Sequence, residues 1–509
     1  MLPTYFTLGM YTLACFLLAL LSSTWAATSS PYFSVVKDPS TGALWLSRNG
    51  TRFFLKGVTS VNRGGLREGA VGPYYNVTLQ RYGSEPEVFR HAVSSRLRHW
   101  SFNSLGAWAT REFWCDAPDC LPYTVDVECA FAAPPSMRIF GGMPDVFDPL
   151  WLAYVDSRVE NVTSVTSTAP YNLVGYFTDN ELGWPHFCDA FKCLPPSSTP
   201  LPIAQQGLGL LQQCLSLTPD RPAYTASWNF VLARHGGSLA ALSLAWELPT
   251  PVTTQAEVLT LYTQQNLTLA SAGLQQDDDA WLGVGGYGGT YFNATAAAIR
   301  RVDPNHLVIG CKFGGPVSPS IYAANAAGHD AVSLDNYRYN MAARVQAVVN
   351  ATGKDTPVII AEFSWEGSDC PVAPGADELE CCTPGADPAI GGFPCPVPLE
   401  VPSNNLTNLD RMYCNGGYSL AQTIAVPQVV GWTWYRWVDE GGDQASPFSQ
   451  LGLVSLRDSV KPLAVSLLTS INDAAESIHQ EGGWGGLGGL GLGGGSGSSG
   501  TWLEYCPFY

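Results

Sequence analysis

The chain has 509 residues, 46% of them hydrophobic and 12% aromatic, and its formal net charge of −17 comes from only 14% charged side chains. That length holds one large barrel-type domain or two ordinary ones. The acidic balance excludes the basic footprint of a nucleic-acid binder, and sixteen Trp suit sugar platforms as well as a core.

Residues 1–26 carry no charged side chain. An apolar stretch at 13–21, with Thr24 and Ala26 at cleavage spacing, reads as a secretory signal peptide; an uncleaved anchor is the alternative. No later run is long and apolar enough to span a bilayer. Residues 27–50 read as a short N-terminal hairpin. A regular rhythm follows over 51–478.

Eight apolar, β-branched or aromatic runs read as strands: "RFFLKGVTSVN" (52–62), "SFNSLGAW" (101–108), "MRIFGG" (137–142), "NLVGYFTDN" (172–180), "HLVIGCKFG" (306–314), "AVSLDNY" (331–337), "PVIIAEFSW" (357–365) and "VVGWTWYRW" (429–437). Helical stretches lie between several of them, such as 85–100 and 291–304, the latter stopped by Pro304. Strands alternating with helical crossovers predict a (β/α)8 TIM barrel.

Two parts break the rhythm. Residues 366–428 are Pro-rich and hold Cys370, Cys381, Cys382, Cys395 and Cys414; they read as a Cys-rich loop insertion after strand seven, pinned by disulfides and forming a wall of the cleft. Residues 479–509 read as a flexible Gly-rich tail, and deletion of 482–509 is expected to leave folding and catalysis nearly intact. "GVGGYG" (283–288) has dinucleotide-fingerprint spacing but does not follow a strand, so it reads as a Gly-rich loop.

Seven Asn-x-Thr sequons, at Asn49, Asn76, Asn161, Asn266, Asn293, Asn350 and Asn405, suggest a eukaryotic secreted glycoprotein, extracellular or in a cell wall. Fourteen Cys fit that compartment. Loss of Cys15 with the leader leaves an odd number, so one thiol is free or pairs with another chain. The scattered His and Cys lack zinc spacing, and neither a metal nor a cofactor is expected.

Barrel chemistry sits at the C-terminal ends of the strands. Strand four ends in Asp179-Asn180-Glu181, and strand seven carries Glu362. Two carboxylates facing across a cleft are what a glycosidase needs. Apolar neighbours Phe177, Leu182 and Trp184 would raise the pKa of Glu181 and suit it as the acid. Asp439 and Glu440, past strand eight, either touch substrate or lie on a solvated loop.

The stretches "FFLKGVTSVN", "FNSLGAW", "PDVFDPLW", "VGYFTDNELGW", "DPNHLVIGCKFG", "VIIAEFSW" and "VVGWTWYRWVDE" cover most of 50–455. On them the chain resembles a clan A glycoside hydrolase, and more narrowly the β-agarases of glycoside hydrolase family 50 and their β-galactosidase-like relatives. The resemblance implies Glu181 as general acid/base and Glu362 as nucleophile of a retaining enzyme. It implies Asn180 on the sugar 2-hydroxyl, Tyr337 holding Glu362, and Trp432 and Trp434 on the sugar-binding floor. Asp179 and Trp184, flanking the Asn-Glu pair, are assigned to the substrate site with them. The expected partner is a galactan-type polysaccharide or its oligosaccharides. Other expectations are a β-galactosidase or β-glucanase of the same clan, and a non-catalytic carbohydrate-binding wall glycoprotein on a dead barrel.

Overall fold

The computed structural model describes residues 30–65, 72–139, 142–168, 170–184, 209–248, 250–258, 271–337, 341–364, 417, 419–439 and 451–482. The leader, all but the first few residues of the tail, and the Cys-rich part of 366–428 lie outside the described residues.

The chain enters through three short strands, β1 (Ser34–Lys37), β2 (Leu44–Arg48) and β3 (Thr51–Phe53), paired antiparallel in that order. Eight parallel strands follow: β4 (Leu55–Val58), β5 (Ser104–Leu105), β6 (Tyr123–Asp126), β7 (Leu173–Phe177), β8 (Leu307–Gly310), β9 (Val332–Asp335), β10 (Val358–Phe363) and β11 (Val429–Trp434). Each pairs with its neighbour in chain order, and β11 pairs back onto β4. A parallel bridge between Phe313 and Leu334 joins β8 to β9 and closes the ring. The expected (β/α)8 barrel is therefore the fold.

One expected strand moves. "MRIFGG" does not enter the barrel; Arg138 makes an isolated antiparallel bridge to Pro144. The third barrel strand is "YTVD", Tyr123–Asp126, between β5 and β7. This shift brings Asp126 to the C-terminal rim.

The barrel interior is apolar, lined by Leu55, Val174, Ile309, Ile359, Ala361 and Val430, and Phe33, Leu44 and Leu46 of the entry hairpin pack into the same cluster. The hairpin therefore plugs the barrel at its N-terminal end, where β4 begins. With that end sealed, the open rim is the C-terminal one, as strand polarity requires.

Helices cover the outside. Before β7 these are α1 (Pro73–Tyr82), α2 (Pro86–His99) and α3 (Pro149–Thr166). In α3, Asp148 accepts from the N–H of Leu150 and Pro149 occupies the first turn, a strong start signal. Its buried Trp151, Val155 and Val159 recur every four residues and face the sheet. The β7–β8 crossover is long. It holds α4 (Leu210–Leu215), α5 (Pro222–Arg234), α6 (Leu239–Ala245) and α7 (Ala272–Leu282) before the crossover helix α8 (Tyr287–Val302). "GVGGYG" is the turn between α7 and α8. A Cβ at Gly286 or Gly288 would meet the carbonyl oxygens of Trp281 and Leu282 at 2.3 and 2.0 Å, so close backbone approach accounts for these two glycines. Next come α9 (Pro319–Gly328), α10 (Met341–Thr352), α11 (Leu420–Ile424) and α12 (Pro462–Glu481).

Asn49, Asn76, Asn161, Asn293 and Asn350 are all exposed. Cys115 and Cys120 form a disulfide, while Cys129, Cys214 and Cys311 are buried free thiols. The expectation of a single odd thiol does not hold among the described residues. No described helix is long and apolar enough to cross a membrane.

Candidate active site

Strand polarity and register gather the charges. Lys312 follows β8 and Glu362 lies in β10, where the β9–β10 register shifts between Ile360 and Glu362. Asp126 ends β6, and Asp335 ends β9. All four lie at C-terminal strand ends, and Lys312, Asp335 and Glu362 are nearly or wholly buried.

The side chains converge on Glu362. Its Oε1 lies 3.1 Å from Lys312 Nζ, and the Tyr337 hydroxyl donates to its Oε2. Lys312 Nζ also lies 3.0 Å from Asp126 Oδ2. Burial pushes the Glu362 carboxyl above the usual carboxylate range. The Lys312 ammonium pulls it back, the nearby Glu181 charge adds to the rise, and the Tyr337 hydrogen bond lowers it. Burial alone would lower the Lys312 pKa, but Asp126, Glu362 and Asp335 together hold it above an ordinary lysine. Tyr337 is pushed well above the ordinary tyrosine value by burial and by Glu362, so its hydroxyl remains a donor.

Glu181 reaches the same place from β7. After Phe177 the chain turns through Asp179 and Asn180, and Glu181 adopts a left-handed φ of 46°. Its N–H donates to the Lys312 carbonyl at 3.0 Å. Glu181 therefore follows β7 beside Lys312 at the rim, close enough for its charge to act on Glu362. Asn180 is half-buried, and its Oδ1 has no hydrogen-bond partner in the protein.

Asp179 faces elsewhere. It is fully buried and accepts from the N–H groups of Ala130 and Phe131 at 2.7–2.9 Å and from the Tyr291 hydroxyl. Burial pushes its pKa up to about 7. Asp179 thus ties the β7 end to the loop after β6 and to α8; it is an anchor, not a sugar contact. The four-residue repeat Tyr287, Tyr291, Thr295 is a buried stripe of α8, which is why Tyr291 arrives there.

The tryptophans also require correction. Thr433 points inward, its hydroxyl donating to the Ala361 carbonyl, with its methyl facing Gly57 and Gly106. Alternation in β11 then turns Trp432 and Trp434 outward. Trp432 is 0% exposed between Phe102 and Phe363, and Trp434 is 1% exposed with its indole N–H on the Leu451 carbonyl. Both are core residues. Trp184 is likewise 1% exposed, stacked on Phe292 with ring centroids 5.3 Å apart.

The half-exposed aromatics beside Glu362 are Trp108, Tyr337 and Tyr435. Tyr435 sits edge-on to Tyr337 at 6.0 Å and to Trp108 at 6.4 Å. Lys312 Nζ lies 3.5 Å from the Trp108 ring centroid. Sequence reasoning missed Trp108, Asp126, Lys312 and Tyr435. Lys312 had a visible signal, a lone cation ending the apolar run "HLVIGCK". Asp439, buried and paired with Lys461 at 2.6 Å, is structural. Among the described residues, no group of three or more His, Cys, Asp or Glu could hold a metal ion.

No family model matches the chain. It is similar to β-agarase A of Vibrio sp. (strain JT0107), 26% identical over 329 residues, which are 61% of this chain and 30% of that protein. It is similar to β-agarase B of the same organism, 25% identical over 322 residues, 61% of this chain and 31% of that one. The matched part spans less than a third of these relatives' length. Among solved structures, an agarase superposes with a TM-score of 0.65 at 17% identity, and an exo-β-agarase with 0.65 at 18%; each alignment covers 89% of this chain and 66% of the other. The barrel is thus shared with agarases, and the sequence resembles theirs.

Proposed function

We propose that this protein is a secreted retaining β-glycoside hydrolase of β-agarase type, acting on a galactan-type polysaccharide or its oligosaccharides. The observation that carries the reading is Lys312 at the C-terminal rim, whose ammonium contacts the Glu362 carboxyl and whose carbonyl accepts from the Glu181 N–H. In this reading Glu362, between an ammonium and a phenol donor, attacks the anomeric carbon. Glu181 protonates the leaving oxygen and then takes a proton from the incoming water. Asn180, next to Glu181, is assigned to a sugar hydroxyl, and Trp108, Tyr337 and Tyr435 offer aromatic surface to the sugar. The likeness to named β-agarases supports the substrate class. The exposed sequon Asn residues and the Cys115–Cys120 disulfide support an extracellular setting.

The test is a hydrolysis screen of the purified protein on agarose, porphyran, other β-galactans and β-glucans. Release of reducing ends from agarose or a related galactan, lost in Glu362→Gln, supports the reading. Activity confined to β-glucans would replace the substrate class, and no hydrolysis of any of them would sink the enzyme.

A further inference from the structure

Lys312 is a costly residue for its place. A lysine with 0% exposure gives up its hydration and must be repaid by partners. Its ammonium has three N–H bonds and three neighbours: Asp126 Oδ2 at 3.0 Å, Glu362 Oε1 at 3.1 Å, and the face of Trp108 at 3.5 Å from the centroid. Wholly buried among these neighbours, the ammonium acts on a substrate only through another group. Its backbone is equally committed. At a left-handed φ of 42°, its N–H donates to Ser333 Oγ at 2.9 Å and its carbonyl accepts from Glu181 N–H at 3.0 Å.

We propose that Lys312 is the positioning residue of this site: its ammonium, held by Asp126 and covered by Trp108, orients Glu362 and keeps it ionised as the nucleophile, while its carbonyl seats Glu181. One residue thus links both glutamates and sets the charge on Glu362. This rests on the reading of Glu362 as nucleophile. Two nearby carboxylates left alone would hold a proton between them without assigning it; a cation on one side breaks the tie. The charged and titratable groups around the pair come from every neighbouring strand end: Asp126 from β6, Asp179 and Glu181 after β7, Cys311 after β8, Asp335 and Tyr337 from β9 and its loop, and Tyr435 after β11. Among the described residues Lys312 is the cation that touches Glu362, and the Arg344 guanidinium of α10 sits behind Asp335, on its backbone carbonyl.

The test follows the side-chain carboxyl carbon of Glu362 by NMR in full-length protein labelled with 13C-glutamate, assigned by its loss in Glu362→Gln. Lys312→Met should raise the Glu362 titration midpoint by about 1–3 pH units, as expected for removing an opposite charge at this range. Lys312→Arg should keep it near the parent value. Asp126→Asn should lower it, because the ammonium then serves Glu362 alone. On a hydrolysed substrate the acid limb of kcat/KM should move in the same directions. An unchanged midpoint in Lys312→Met, or a rise in Asp126→Asn, would overturn the proposal; if Lys312→Met does not fold, the sign in Asp126→Asn decides. The titration needs no turnover, so a protein inactive on every glycan would defeat the enzyme reading while the measurement still judged Lys312.

Discussion

A methyl group added at Gly314 would stand 2.5 Å from Oε1 of Glu181. The glycine two residues past Lys312 therefore leaves the space in which the Glu181 carboxyl lies. The blocking atom is the far end of a flexible side chain, so the fold can yield cheaply while the carboxyl moves. Gly314→Ala should leave thermal stability nearly unchanged and lower kcat/KM on unactivated glycosides roughly 100-fold, the scale for a misplacement of about 1 Å. Equal losses of stability and activity in a melting and kinetic comparison would contradict this.

Asp179 predicts a pH dependence of stability. Its folded pKa is raised, to about 7, above the unfolded value of about 3.9. The folded state therefore binds more protons between these limits. The stabilisation from this group is fully present below about pH 4 and is lost as pH rises through about 7. Asp179→Asn lacks that loss. The gap between parent and variant unfolding free energies should narrow from pH 4 to 7, by at most about 1.4 kcal/mol per pH unit. Urea unfolding across that range checks it; a constant gap would show that Asp179 does not titrate there.

Trp432 and Trp108 should separate core from cleft. Trp432 is wholly buried, so Trp432→Ala should cost about 3–5 kcal/mol of stability. Trp108 is half-exposed beside Glu362, so Trp108→Ala should cost less stability and weaken sugar binding, read as a higher KM. The opposite pattern in paired melting and kinetic measurements would restore Trp432 to the sugar floor.

The sequence made the barrel legible wherever strands were continuous apolar runs, as in "VIIAEF" of β10. "YTVD" escaped because it is only four residues long, flanked by Cys120, Pro122 and the Cys129 turn, whereas "MRIF" looked more strand-like and lies outside the ring. With the third strand misplaced, Asp126 could not be seen as a rim residue. The two glutamates were legible because charge ending an apolar strand is conspicuous. Trp432 and Trp434 were misread for a different reason. A period of two puts both on one face but does not say which, and Thr433 settles it only through its contacts with Gly57, Gly106 and Ala361. Asp179 looked like part of the acidic tip until its three donors were known, and they come from segments 48 to 112 residues away.

The roles proposed for Glu181 and Glu362 predict both stereochemistry and a division of labour. A second carboxylate about 5–5.5 Å from the first leaves no room for water beneath the sugar, so it attacks directly and a covalent glycosyl-enzyme forms. Proton NMR of the first-formed product should show the anomeric configuration retained. Glu362→Ala removes the attacking oxygen and should abolish turnover; azide can then enter from the vacated face and give a glycosyl azide of opposite configuration. Glu181→Ala leaves the nucleophile in place, so activated aryl glycosides, whose leaving groups need no proton, should still form the intermediate, while natural linkages should lose about 100- to 10,000-fold in rate. The intermediate should then accumulate, because the same residue would have activated water, and azide should speed its breakdown with retention. Inverted product from the parent protein would remove Glu362 from the nucleophile's role; equal losses on aryl and natural glycosides would remove Glu181 from the acid's.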